Sequence, residues 1–123
     1  NQVLTVRQYR YPHERLFLES PAGKLEKGED PFLCAKRELL EETGMTAESW
    51  QSLGRLVPTP AYDGEVIYMY LARNLHYESQ QLDEGEFLKV EKFPLDTLVE
   101  MVLSGEIEDA KTQAAILKTK IMI

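Results

Sequence analysis

Cysteine, histidine and positive charge are all scarce in this chain of 123 residues. Its one cysteine, Cys34, leaves no partner for a disulfide within the sequence, which favours a reducing compartment, the cytoplasm. Its two histidines, His13 and His76, lack the H-x(3)-H spacing of a zinc site, so we expect ordinary surface or loop residues. Lysine and arginine number 14 against 21 acidic residues, and the net charge of −7 disfavours nucleic acid as a partner.

Long hydrophobic runs are missing as well. No stretch approaches the ~20 apolar residues of a membrane span, so no membrane partner is predicted. No signal peptide is visible either. With 43% apolar residues, the chain has the composition of one modest globular domain, which we assign to residues 1–123.

Strand and helix signals alternate along the chain. Strands are predicted at 2–11, 16–19, 51–57, 65–72 and 87–93, and helices at 30–43, 95–103 and 109–120. The strand at 65–72 is apolar on both faces, so we place it at the centre of a sheet. On the last helix we expect one apolar side, formed by Ala110, Ala114, Leu117 and Ile121. These elements predict an α/β or α+β sandwich around a mixed sheet.

The stretch at 23–45 carries the clearest chemical pattern. Glu38, Glu41 and Glu42 are spaced i, i+3 and i+4, which places three carboxylates on one face of a helix. Their mutual repulsion calls for a compensating cation. Arg37 can pair with Glu41 one turn on. A hard divalent ion, Mg²⁺ or Mn²⁺, can compensate for the rest because these ions take oxygen ligands.

Local signals define this helix and the loop before it. Asp30 is the predicted N-cap, Pro31 takes the first helical position, and Gly44 is the predicted residue that ends the helix. Cys34 falls inside the helix and is interpreted as a packed thiol rather than a nucleophile. The apolar side that we expect to anchor the helix in the core consists of Phe32, Leu33, Ala35, Leu39 and Leu40.

A glutamate trio on a helix is most often a solvated surface, so the trio alone is weak evidence. The whole stretch, however, fits G-x(5)-E-x(7)-R-E-U-x-E-E-x-G-U, where U is a large aliphatic residue and Met45 is the one loose fit. The seven single-residue places coincide by chance about once in 10⁸ windows. The stretch resembles the Nudix box, the signature of the Nudix hydrolases. This resemblance implies the Nudix fold, a mixed sheet between helices in an α/β/α sandwich.

An acidic segment near residue 85 has two interpretations. Glu84 and Glu86 are either solvated loop residues or a second source of carboxylates that faces the helix. In the second case one ligates a metal and the other takes a proton from water.

The first strand and the proline-containing loop at 58–64 also have two interpretations. Arg7 and Arg10 are either charges on an edge strand or phosphate contacts, for which the planar guanidinium is suited. Tyr62, beside Pro60, either packs or provides an aromatic shelf for a ribose or a base. Both regions are therefore candidate substrate-binding sites.

Four segments resemble the ADP-ribose pyrophosphatase branch of this superfamily. They are Gln8-Tyr9-Arg10, Pro21-Ala22-Gly23-Lys24, Pro60-Ala61-Tyr62-Asp63-Gly64-Glu65 and Asp109-Ala110-Lys111-Thr112. Pro60 lies 16 positions after Gly44, where this branch characteristically has a proline, whereas Ala61 replaces a usual glycine. The resemblance covers nearly the whole chain and implies hydrolysis of ADP-ribose to AMP and ribose 5-phosphate. A GDP-sugar or another nucleoside diphosphate-sugar is the rival substrate.

The resemblance also implies a role for each matching residue. Arg37 would hold the glutamates in place with Glu29 nearby, Arg10 would touch a phosphate, and Glu84 would be the candidate general base. The oxygen ligands of the Mg²⁺ ions would be the Ala22 carbonyl, Glu38, Glu42, Glu86 and, directly or through water, Glu41.

Relatives in this branch carry an N-terminal region that exchanges across a dimer and supplies part of the nucleoside pocket. We expect this region to be missing from the present sequence and the protein to be a homodimer. A different class of function also stays open, a Nudix-type domain that holds ADP-ribose or a related nucleotide without turnover. The presence of every box glutamate favours the enzyme.

Overall fold

The computed structural model describes residues 2–79 and 88–123, which contain three α-helices and five strands. The elements in chain order are β1 (Gln2–Arg10), a 3-10 turn (Tyr11–His13), β2 (Arg15–Glu19), α1 (Pro31–Thr43), β3 (Met45–Leu56), β4 (Ile67–Tyr77), β5 (Leu88–Pro94), α2 (Leu95–Leu103) and α3 (Ala110–Met122). The predicted elements are therefore present. The strand predicted at 51–57 begins earlier, at Met45, because the added residues pair in register with the far end of β4.

The strands within these two ranges form two antiparallel sheets, of order β2-β1-β5 and β3-β4, where we expected one mixed sheet. β1 is the middle strand of the first sheet: Arg7 pairs with Leu18 of β2 on one side and with Lys89 of β5 on the other. The central position predicted for β4 was wrong for the described part of the chain, where its one strand neighbour is β3. Its apolar residues serve helix packing instead, because β4 contacts both α1 and α3.

The core lies where the first sheet meets α2 and α3. Its buried cluster consists of Leu18, Leu95, Leu98, Ile107 and Ile116. α2 packs against β5 and α3, whereas α1 and α3 both pack against β3 and β4. This layering places α1 beside the loop that follows β2. None of the helices in the ranges above is long and apolar enough to cross a membrane.

Two of the predicted helix faces differ from those observed. On α3 the buried residues are Thr112, Ile116 and Thr119, whereas Ile121 of the predicted stripe is 84% exposed. The Thr112 hydroxyl bonds to the backbone after β2, and this contact turns the threonine side inward. On α1, Leu33 is exposed and Cys34 is buried instead.

Candidate active site

α1 presents the glutamates because both of its ends are fixed by local hydrogen bonds. Asp30 Oδ2 accepts from the backbone N–H groups of Phe32 at 3.0 Å and Leu33 at 3.2 Å. Gly44 adopts φ 76°, a left-handed conformation that favours glycine, and its N–H donates to the Leu40 carbonyl at 2.8 Å. The caps therefore set where the helix starts and stops, and with it which face carries the carboxylates.

Arg37 is the centre of the carboxylate cluster. Its Nε and Nη2 donate to the two carboxylate oxygens of Glu29 at 2.8 and 3.0 Å. Its Nη1 donates to Glu38 Oε1 at 2.8 Å and to Glu41 Oε2 at 3.0 Å. The hydrogen bond with Arg37 lowers the pKa of Glu29 to about 2 and raises the pKa of Arg37. One guanidinium thus binds three carboxylates through charge-assisted hydrogen bonds.

The loop after β2 lies directly against the carboxylates of α1. The Ala22 N–H donates to Glu42 Oε1 at 3.0 Å, and Glu42 is 3% exposed. A Cβ on Gly23 would lie 1.9 Å from Cδ of Glu38, so a side chain at this position would require the Glu38 carboxylate to move. Ala22, Gly23 and Glu38 border a cavity of about 1180 Å³ between the loop, α1, β4 and α3.

The donor set at this place consists of hard oxygens, which suits Mg²⁺ or Mn²⁺. The carboxylates of Glu38 and Glu42 and the backbone of Ala22 meet at the same loop. Among residues 2–79 and 88–123, no group of three or more His, Cys, Asp or Glu side chains converges on one metal position. Glu38 and Glu41 instead accept hydrogen bonds from Arg37. The predicted contributors Glu84 and Glu86 fall outside these two ranges.

Cys34 is a packed thiol, as predicted. It is buried, and burial raises its pKa to about 11. Arg37 Nη2 lies 3.8 Å from its sulfur. A thiol with this pKa stays protonated at neutral pH and is a poor nucleophile.

Both arginines of β1 pair with carboxylates. Arg7 donates to Glu91 of β5 at 3.1 and 3.2 Å, and this contact lowers the pKa of Glu91. Arg10 donates to Glu19 of β2 at 2.7 and 2.5 Å. Arg7 therefore lies in an ion pair across β1 and β5. Arg10 belongs to a network that reaches the loop after β2.

The loop at 58–64 is exposed. Pro60 is exposed, and Tyr62 is 90% exposed, which rules out the packing interpretation for the Tyr62 ring. The loop is held by its own contacts, because the Thr59 hydroxyl donates to Asp63 at 2.9 Å and the Tyr62 N–H to the Thr59 carbonyl at 3.0 Å. Tyr62 is thus presented to solvent on an ordered turn.

Sequence reasoning missed Glu19, which is 2% exposed and accepts from both Arg10 and Lys111. Lys111 also donates to Asp109 at 2.8 Å. Burial alone would raise the pKa of Asp109, but hydrogen bonds from Lys111 and Thr112 lower it. One signal was available in the sequence: a single glutamate ends the otherwise apolar run Leu16–Glu19 just before the loop.

We expect Glu29→Gln to reduce the acid sensitivity of folding. Glu29 has a folded pKa of about 2 against an ordinary value of 4.5. Ionised Glu29 therefore stabilises the fold at pH values above its ordinary pKa of 4.5. This stabilisation is lost as the pH falls towards the folded pKa of about 2, because the unfolded chain binds the proton first. Urea unfolding at about pH 6 and about pH 3 should show a smaller drop in the free energy of unfolding for Glu29→Gln than for wild type. Exposed Glu65→Gln is the control, and an equal drop in all three proteins would contradict this role of Glu29.

Comparison with known proteins defines the family. A profile of the NUDIX domain matches residues 1–116. The chain is 42% identical over 117 residues to an ADP-ribose pyrophosphatase of Bacillus subtilis (strain 168), a match that covers 94% of this chain and 63% of the relative. It is 40% identical over 118 residues to a methanol dehydrogenase activator of Bacillus methanolicus, covering 94% and 64%. The chain belongs to the Nudix family.

The fold agrees with this assignment. A crystal structure of an ADP compounds hydrolase superposes with a TM-score of 0.88 at 26% identity, covering 98% of this chain and 65% of the other. The predicted Nudix fold class is thereby confirmed. The chain spans slightly less than two thirds of the length of these relatives. Nudix hydrolases generally need a divalent metal ion.

Proposed function

We propose that the protein is a metal-dependent hydrolase that cleaves the diphosphate linkage of a nucleoside diphosphate-sugar. The preferred substrate is ADP-ribose, and the products are AMP and ribose 5-phosphate. The observation that carries this proposal is the contact between the loop after β2 and α1, where Ala22 and Gly23 lie on the carboxylates of Glu42 and Glu38. Oxygen donors gathered at one loop suit the binding of a hard cation beside an anionic substrate.

Different residues of the chain bind the metal, orient its ligands and accept a proton. The Ala22 carbonyl, Glu38, Glu42 and Glu86 hold Mg²⁺, or Mn²⁺ as a substitute, and Glu41 shares in metal binding. When bound, the metal neutralises diphosphate charge and lowers the pKa of a coordinated water. Arg37 holds the carboxylates in position through its hydrogen bonds. Glu84 accepts the proton of the attacking water as general base.

The substrate contacts come from β1 and from the loop at 58–64. Arg10 donates Nε and Nη2 to Glu19, and its side chain is 41% exposed, so we assign its Nη1 to a phosphate. Arg7, 34% exposed in its ion pair with Glu91, adds positive charge on the same strand. Tyr62 beside Pro60 provides the aromatic shelf for ribose or base. We assign the substrate to a small molecule, the active form to a homodimer of this single domain, and the compartment to the cytoplasm, where a free thiol such as Cys34 stays reduced.

A second candidate is a non-catalytic domain that binds the nucleotide and regulates another protein. The relative named methanol dehydrogenase activator, at 40% identity, supports this candidate. The two candidates differ in turnover, since a binding domain retains the nucleotide whereas a hydrolase releases AMP.

The test is AMP release from ADP-ribose by the purified chain with Mg²⁺, with Mn²⁺ and after EDTA treatment. We expect release with either metal, none after EDTA, and a kcat/KM for ADP-ribose at least about tenfold above that for GDP-mannose, a difference of about 1.4 kcal/mol in activation free energy. Equal or higher kcat/KM for GDP-mannose would transfer the assignment to a GDP-sugar. ADP-ribose that binds in calorimetry without AMP release under any metal would support the binding domain and overturn the hydrolase.

A further inference from the structure

The start of α3 is fastened to the loop that follows β2. The Ser20 N–H donates to Thr112 Oγ1 at 2.9 Å, and the two hydroxyl oxygens lie 3.4 Å apart. Thr112 is fully buried, and its own hydroxyl donates to the N-cap residue Asp109 at 2.6 Å. The bond between Ser20 and Thr112 therefore joins residues 92 positions apart through a side chain that is held from both sides.

A buried charge network reinforces this connection from the β2 side. Glu19, next to Ser20, accepts from Lys111 at 2.7 Å and from Arg10 at 2.7 and 2.5 Å. Lys111 is 14% exposed and also donates to Asp109. A buried carboxylate with charged donors on two sides is costly to displace. The last residue of β2 and the first of the loop are thus both attached to the N-terminal turn of α3.

The same loop also contacts the carboxylates of α1, close to its attachment at Ser20. Two residues beyond Ser20, the Ala22 N–H bonds to Glu42, and Gly23 abuts Glu38. Pro21 lies between these two attachments. Its ring fixes φ and limits how far the loop can adjust. A shift of Ser20 is therefore transmitted to the Ala22 peptide rather than absorbed.

We propose that Thr112, with Lys111, is a positioning residue that sets the Ala22 carbonyl against Glu38 and Glu42 and so determines the divalent-cation affinity of the site. The inference rests on the proposed function, because it takes the Ala22 carbonyl as a metal ligand. Thr112 holds the loop through Ser20, and Lys111 holds it through Glu19.

The test compares Thr112→Val with Thr112→Ser by titrating Mn²⁺ against the full chain and following free Mn²⁺ by electron paramagnetic resonance. Valine keeps the volume of threonine and removes the acceptor for the Ser20 N–H, whereas serine retains it. We expect Thr112→Val to raise the Mn²⁺ dissociation constant about tenfold, in the range found for outer-sphere residues. Thr112→Ser should stay within about twofold of wild type. Amide exchange at 20–28 should also be faster in the valine variant than in the serine variant.

Thr119→Val is the matched control, since Thr119 is also a buried threonine of α3, at 8% exposure. It should lower thermal stability without changing Mn²⁺ affinity. Lys111→Met provides a second variant should Thr112→Val not fold, with an expected loss of Mn²⁺ affinity of about tenfold. Wild-type affinity in folded Thr112→Val, or in folded Lys111→Met where the valine variant is unfolded, would overturn the inference.

The two proposals fail in different ways. A wild-type chain that binds Mn²⁺ but releases no AMP would refute the hydrolase and leave the positioning role to be decided by the titration. A wild-type chain that binds no Mn²⁺ would overturn both.

Discussion

Glu42→Gln should lower the rate of ADP-ribose hydrolysis about 100- to 1000-fold and leave the fold intact. Glu42 is 3% exposed, and its Oε1 accepts from the Ala22 N–H at 3.0 Å. Glutamine has the same shape and still offers an oxygen to that N–H, so the loop keeps its attachment. The negative charge is lost, and a divalent ion then has one anionic ligand fewer.

The measurement is kcat/KM over a series of Mg²⁺ concentrations, together with thermal melting. Glu100→Gln makes the same chemical change at an exposed position of α2 and should behave as wild type. A Glu42→Gln protein with wild-type kcat at saturating Mg²⁺ would exclude Glu42 from the metal site. A variant that melts far below wild type would instead show that the carboxylate acts in folding.

Gly23→Ala should reduce activity about 100-fold, because a displacement of about 1 Å at a reacting site has an effect of that size. The added Cβ would lie 1.9 Å from Cδ of Glu38 and 2.2 Å from each of its oxygens. Since the nearest atoms are the end of a flexible side chain, the clash is relieved by rotating the carboxylate away. That rotation breaks the 2.8 Å bond to Arg37 and removes Glu38 from the loop.

The control is Gly64→Ala, where an added Cβ meets nothing within 4 Å. Both glycines lack the positive φ that would strain alanine, so the two substitutions differ in the clash alone. Steady-state kinetics should show a loss of kcat in Gly23→Ala, whereas Gly64→Ala, in the loop assigned to the substrate, should keep the wild-type kcat and change at most KM. Equal rates in the two variants would mean that Glu38 is not needed where the structure has it.

Local sequence signals correctly predicted those features of the fold that depend on contacts between residues close in the sequence. The ends of α1 follow from Asp30, Pro31 and Gly44, and each acts within one turn of the helix. The buried face of α3 could not be found this way, because the contact that orients Thr112 comes from Ser20, 92 residues away. The neighbours of β4 could not be predicted either, because an apolar strand has the same sequence pattern whether other strands or helices pack against it.

The candidate site divides in the same manner. Glu38, Glu41 and Glu42 lie on one helix, so their spacing alone predicts a shared face. Their attachment to Ala22 and Gly23 across the loop is a tertiary feature. Glu19 was not predicted as a site residue because its partners, Arg10 and Lys111, lie 9 and 92 positions away in the sequence.

The arrangement around Arg37 has a consequence for how such a protein is made in a cell. The guanidinium donates hydrogen bonds to Glu29, Glu38 and Glu41 and offsets one of their three negative charges. A zinc finger, by contrast, stays unfolded until its ion arrives. We therefore expect the domain to fold in a cell before it binds a metal ion, because an arginine of the same helix relieves part of the repulsion among these carboxylates.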